Sequence, residues 1–97
     1  MSVDELRVFL CAARGEIGNL VSLLGRAPHL VRARDTRGAS ALHHAAFNGH
    51  KALASLLLQR AADPNARSLA GSSPLHLALR GLAPRPLAAR LLAHGAS

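Results

Sequence analysis

The stretch from Gly38 to Ala66, GASALHHAAFNGHKALASLLLQRAADPNA, decides the fold. It holds His43, His44, His50 and Asp63, residue types that suggest a metal site or a general base. Their placement argues against both. His43 and His44 are adjacent, so on a helix they point about 100° apart and do not easily share an ion. There is no H-E-x-x-H run, and the single Cys11 forms no zinc-type pair with a histidine. The apolar residues are more informative. Leu53, Leu56 and Leu57 stand at i, i+3 and i+4, one stripe of a helix, and Leu20, Leu23 and Leu24 have the same spacing.

The pattern recurs along the chain. Gly38 is matched by Gly71, Ser40 by Ser73, Ala41-Leu42-His43 by Pro74-Leu75-His76 and Ala45 by Ala78, all at an offset of 33. Past Leu79 the offset is 34, where LLLQRAA aligns with RLLAHGA, so one position is inserted. Upstream, Ala12-Ala13 precede Ala45-Ala46, and NLVSLL precedes ALASLL, again at an offset of 33. One unit is used about three times, near 1–34, 35–67 and 68–97, in a single domain. One helix pair cannot bury its apolar face alone, so stacked copies supply the core. The expected helices lie near 3–14, 17–25, 41–48, 51–60, 74–80 and 85–94, with extended turn segments near 26–40 and 61–73. Ser2 and Glu5 form a capping box. Pro74 suits a first helical turn, and Pro28 stops the second helix.

The unit resembles the ankyrin repeat. The quoted stretch is similar to G-x-T-P-L-H-x-A-A-x-x-G-H-x-x-x-V-x-x-L-L-x-x-G-A-D-x-N-A, with Ser40 for Thr, Ala41 for Pro and Ala61 for Gly. GSSPLHLA keeps the proline, and the first unit lacks the Leu-His signature. The resemblance implies an all-α ankyrin-type solenoid of helix-turn-helix pairs joined by hairpin-like fingers. It implies a module that binds another protein on its concave face, with no catalysis and no cofactor. It gives His43 and His76 the task of opening a helix and bonding neighbouring backbone, and sets His50 in the inter-helix turn. Positions that vary within the family fall on Thr36, Arg37, Ala39, Phe47 and Asn48, and again on Leu69, Ala70, Ser72, Arg80 and Gly81. His44, at the edge of the first helix of its unit, joins this partner-binding set. Asn65 is similar to the hairpin asparagine that dioxygenases hydroxylate in some ankyrin proteins.

Composition is consistent with this reading. The chain has 97 residues, 49% of them hydrophobic, no Trp or Tyr, and a Leu- and Ala-rich, helix-favouring apolar set. The formal charge of +7 favours acidic partners. Nucleic acid is a weaker expectation, because the arginines are scattered and Phe9 and Phe47 are the only aromatic side chains for stacking. The densest basic stretch, Arg32, Arg34 and Arg37, falls on the first turn segment and suits a carboxylate-bearing partner. Phe47, Arg37 and Arg80 are the expected hot spots. No apolar run of membrane-spanning length is present, and the first residues, with Asp4 and Glu5, do not read as a secretory signal, so a cytoplasmic or nuclear setting is expected. Cys11 reads as a packing thiol, His29 and His94 as residues near helix ends. Catalytic motifs are absent, and the two glycines of RGEIGN follow a helix instead of a strand.

The third unit departs from the pattern. RGLAPRPL, with Pro84 and Pro86, replaces FNGHKAL, and Arg90 stands where Leu56 does. Leu87, Leu91 and Leu92 are expected to lack a following unit to cover them. Alternative readings are the N-terminal recognition module of a longer protein, enzymatic or not, and a basic module for nucleic acid or acidic surfaces.

Overall fold

The computed structural model describes residues 2–80, 91 and 93, except for the side chain of Arg80. Among them are five α-helices and no strand: α1 (Val3–Arg14), α2 (Ile17–Arg26), α3 (Ala41–Phe47), α4 (Lys51–Gln59) and α5 (Pro74–Arg80). The sixth expected helix, near 85–94, lies outside the described residues apart from Leu91 and Ala93.

Each helix start has a local cause. The Ser2 hydroxyl accepts from the Glu5 amide at 3.1 Å and the Glu5 carboxylate accepts from the Ser2 amide at 3.4 Å, the expected capping box. Ser40 caps α3 in the same way, with His43 in the place of the glutamate. Pro74 opens α5, where no amide donor is required. The helix α4 ends with the Ala61 amide on the Leu58 carbonyl and the Ala62 amide on the Leu57 carbonyl, a Schellman arrangement. It requires a left-handed residue, and Ala61 supplies it at φ +68°.

One expectation needs correction. The segment near 26–40 is not extended throughout: Pro28–Arg32 forms a 3₁₀ turn. Pro28 fixes its own φ and cannot continue α2, while the turn drives Leu30 and Val31 into the core against α1 and α2.

The helices α1, α3 and α5 lie side by side, with α2 packed on α1 and α4 on α3. Close approach is possible because the contact residues are small: Ala12, Ala45, Ala46 and Ala78 are all buried. Leu20, Leu24, Leu42, Leu53 and Leu57 fill the space between the rows. Each such side chain contributes about 1.5–3 kcal/mol through its burial. Leu91, expected to be uncovered, is 0% exposed and belongs to this core. It stands in the repeat where Leu57 does, a position that faces inward.

Between the helices run two fingers of identical design. Asp35 N–H meets Ala39 C=O and Gly38 N–H meets Asp35 C=O, both at 2.9 Å. The same two bonds recur one unit later, from Ser68 to Ser72 and from Gly71 to Ser68, again at 2.9 Å. Gly38 turns the finger at φ +77°, and a Cβ there would also come within 3.0 Å of the Leu69 backbone nitrogen.

Candidate functional site

Two histidines, His43 and His50, lock the units together. His43 is fully buried. Its Nδ1 accepts from the Ser40 amide at 3.1 Å, so Nε2 carries the proton and donates to the Ser72 carbonyl of the next finger at 2.9 Å. Burial, then the nearby charges of Arg34 and His44, push its pKa below the ordinary histidine value, against the pull of the Ser72 bond and Asp35. A neutral imidazole with both nitrogens engaged has no lone pair for a metal. His76 repeats the near half of the arrangement, its Nδ1 accepting from the Ser73 amide at 3.3 Å. His50 donates from Nε2 to the Ala13 carbonyl, at 2.9 Å.

His44 has a different role. Its Nε2 lies 2.9 Å from Asp35 Oδ2 and its ring sits 5.5 Å from that of Phe9. The other oxygen of Asp35 accepts from the Arg37 amide at 2.8 Å and the Ala39 amide at 3.0 Å. Burial would raise the Asp35 pKa, but the Ala39 bond, the His44 bond and the Arg37 bond together hold it below the usual carboxylate range. Asp35 therefore shapes the finger, and it ties the finger to the exposed edge of α3 through His44.

Fingers and helices enclose a groove of about 560 Å³. Thr36, Arg37, Ala39, His44, Phe47, Leu69, Ala70 and Ser72 line it, eight of the residues named from the sequence. Phe47 is 46% exposed and Leu69 82% exposed, both large apolar groups facing water. Arg37 is exposed at the finger tip and its guanidinium has no ion pair among the described residues. Asn48 is not part of the wall. It caps α3, its Nδ2 donating to the His44 carbonyl at 2.9 Å. Arg80 ends α5, and its side chain, like Gly81, falls outside the described residues. Asp35, His43, Ser68 and Leu77 also line the groove and were not in the expected partner-binding set. Leu77 is the counterpart of His44 one unit on, so carrying that position into the third unit would have found it.

Cys11 is buried against a smaller groove, of about 390 Å³, between α1 and α2. Burial, then Glu16, raise its pKa, while Arg14 and Arg7 pull the other way. The thiol is held protonated, a poor state for a nucleophile. Among the described residues no cluster of three or more His, Cys, Asp or Glu could hold a metal, and no helix is long and apolar enough to cross a membrane.

The finger pair, the Ser-x-x-His helix openings and their recurrence at one fixed offset meet an independent finding: a family model for ankyrin repeats, three copies, matches residues 8–97. The chain belongs to the ankyrin-repeat family. Ankyrin repeats in general mediate protein–protein interaction. The chain is 36% identical over 77 residues to a transient receptor potential cation channel subfamily A member 1 homolog of Caenorhabditis elegans, covering 77% of this chain and 6% of that protein. It is 41% identical over 78 residues to the human oxysterol-binding protein-related protein 1, covering 78% of this chain and 8% of that protein. The ankyrin chain thus spans less than a tenth of either relative.

Proposed function

We propose that this ankyrin chain is a non-catalytic adaptor that holds a segment of another protein in the groove between its fingers and the edges of α3 and α5. The observation that carries the reading is the exposed pair Phe47 and Leu69 beside the Arg37 guanidinium, which has no ion pair among the described residues. An apolar floor with one cation at its rim suits an extended segment that sets a bulky apolar side chain on Phe47 and a carboxylate on Arg37. The net charge of +7 favours the approach of such an acidic segment. Arg80, carried over from the repeat, is assigned to the same surface. The single, buried cysteine is compatible with a cytoplasmic or nuclear setting.

The test is a binding titration with short peptides carrying Leu or Phe beside Asp or Glu, read against the Phe47→Ala, Arg37→Ala double variant. The variant should keep its helical circular dichroism and bind about tenfold or more weakly. Equal affinity in the folded variant would refute the groove. A second reading rests on the relatives, in both of which the matching stretch is a small part of a much longer protein. In it the chain is the recognition module of a larger polypeptide, and the groove serves to place that polypeptide on its partner.

A further inference from the structure

The helices α1 and α2 enclose a second groove, lined by charges that the repeat does not account for. Arg7, Leu10, Cys11 and Arg14 line it from α1, at i, i+3, i+4 and i+7, a single stripe of that helix. Leu23 and Arg26 line it from α2. The two helices run antiparallel: Gly15 and Glu16 alone join them, and Arg26 at the end of α2 reaches Asp4 near the start of α1, at 3.9 Å. Arg7 and Arg26 therefore stand at one end of the groove and Arg14 at the other. Between them the apolar surface is Leu10, 42% exposed, beside the nearly covered side chains of Cys11 and Leu23. Asp4 is engaged by Arg26, and Glu16 is part of the groove wall. Neither Arg7 nor Arg14 has an ion pair among the described residues.

These arginines are not part of the recurring unit. In the second unit the counterparts of Arg7, Arg14 and Arg26 are Ser40, Phe47 and Gln59. Nor is the first unit shaped to receive an ankyrin unit before it. Positions 35–39, which form a finger, correspond to 2–6, which are helical from Val3. His50, which bonds back to the Ala13 carbonyl, corresponds to Ile17, whose side chain has no donor.

We propose that this groove seats an acidic amphipathic helix of another protein, lying along α1. Arg7 and Arg14 are two turns apart, about 10.5 Å along the axis, so the occupant carries carboxylates at i and i+7. An apolar side chain at i+3 or i+4 lies between them, against Leu10 and Leu23, as the apolar face of a helix does in a groove. Arginine suits the carboxylates because its planar fork offers each of them two parallel bonds. A second copy of this chain supplies no such helix, since none of its five acids stands seven residues from another. This surface is separate from the groove of Phe47, and the proposal does not rest on that one.

The experiment uses the 97-residue chain and a fluorescent peptide of about 16 residues, long enough to be helical, with Leu at its centre and Glu at i and i+7 around it. Anisotropy gives its affinity for the original chain, for the Arg7→Glu, Arg14→Glu variant and for the Phe47→Ala, Arg37→Ala variant, with circular dichroism checking each fold. The arginine variant should bind about tenfold or more weakly, and a peptide with Lys in place of both Glu should prefer it to the original chain. The Phe47→Ala, Arg37→Ala variant should bind as the original does. If charge reversal disturbs the fold, Arg7→Gln, Arg14→Gln replaces it, with a loss again expected. No binding to the original chain, equal affinity in the folded arginine variant, or a loss only in the Phe47→Ala, Arg37→Ala variant would overturn the proposal. So would an arginine-dependent sedimentation with phosphatidylserine vesicles in the absence of peptide binding, since that would assign the groove to a lipid surface.

Discussion

At the scale of the residue, His43 shows how one side chain can look catalytic and be structural. Its Nδ1 is filled by the Ser40 amide and its Nε2–H by the Ser72 carbonyl, so its chemistry is spent on the fold. Its pKa in the folded chain lies below the unfolded value of about 6.5. The unfolded chain therefore binds the extra proton first. The His43 contribution is present above about pH 6.5 and declines as pH falls from there towards the lower folded value. Asp35, also depressed, gives a second loss as pH falls below about 4. Urea unfolding should show lower stability at pH 5.5 than at 7.5, and His43→Gln should flatten that difference; an equal slope in the variant would exonerate His43. Ala61 makes a complementary prediction. It holds a left-handed conformation that L-residues avoid, at the position where the family pattern has glycine. Ala61→Gly should stabilise by about 0.5–1 kcal/mol in a denaturant titration. The substitution itself was plain in the sequence, but its backbone strain was not, because φ is set by the Schellman bonds of Ala61 and Ala62.

At the scale of the element, the helices were legible and the connections less so. Capping residues and leucine spacing placed α1 to α5 within one or two positions, since both signals are local. The 3₁₀ turn at Pro28–Arg32 escaped because Leu30 and Val31 are adjacent and give no period to read. Their burial depends on α1 and α2 packing over them. The finger depends on Gly38 twice, for its φ of +77° and for the 3.0 Å approach of the Leu69 nitrogen. Gly38→Ala should destabilise by about 1–2 kcal/mol from conformation alone, with some further loss if the Leu69 amide is pushed off the Arg37 carbonyl. Chemical denaturation checks the first, and amide temperature coefficients check the second. The alternative of a tolerant finger would show as a change under about 0.5 kcal/mol.

For the whole molecule, recurrence carried most of the information. The recurring offset of 33, with one insertion after Leu79, revealed the stack before any helix was placed, because each unit faces the same neighbours. It also gathered groove residues that are far apart in sequence, such as Phe47 and Leu69. It did not reveal that Asn48 would turn away to cap α3, or that Asp35 would hold His44. Those outcomes depend on rotamers, which no spacing encodes. About three units provide a small core, near the lower limit for a stable stack. The 97-residue chain should melt below about 75 °C, and a cooperative transition above that temperature would show the core to be stronger than its size suggests.

The bond from the Leu69 amide to the Arg37 carbonyl has one more consequence. It places an exchangeable proton on the wall of the groove, shared by two fingers and belonging to Leu69, the most exposed large apolar residue among those described. That proton leaves only when the fingers part. Its exchange rate therefore measures how often the groove opens, and a segment seated across both fingers would slow it without touching the nitrogen. The molecule carries its own isotopic reporter of occupancy, readable before any partner has been given a name.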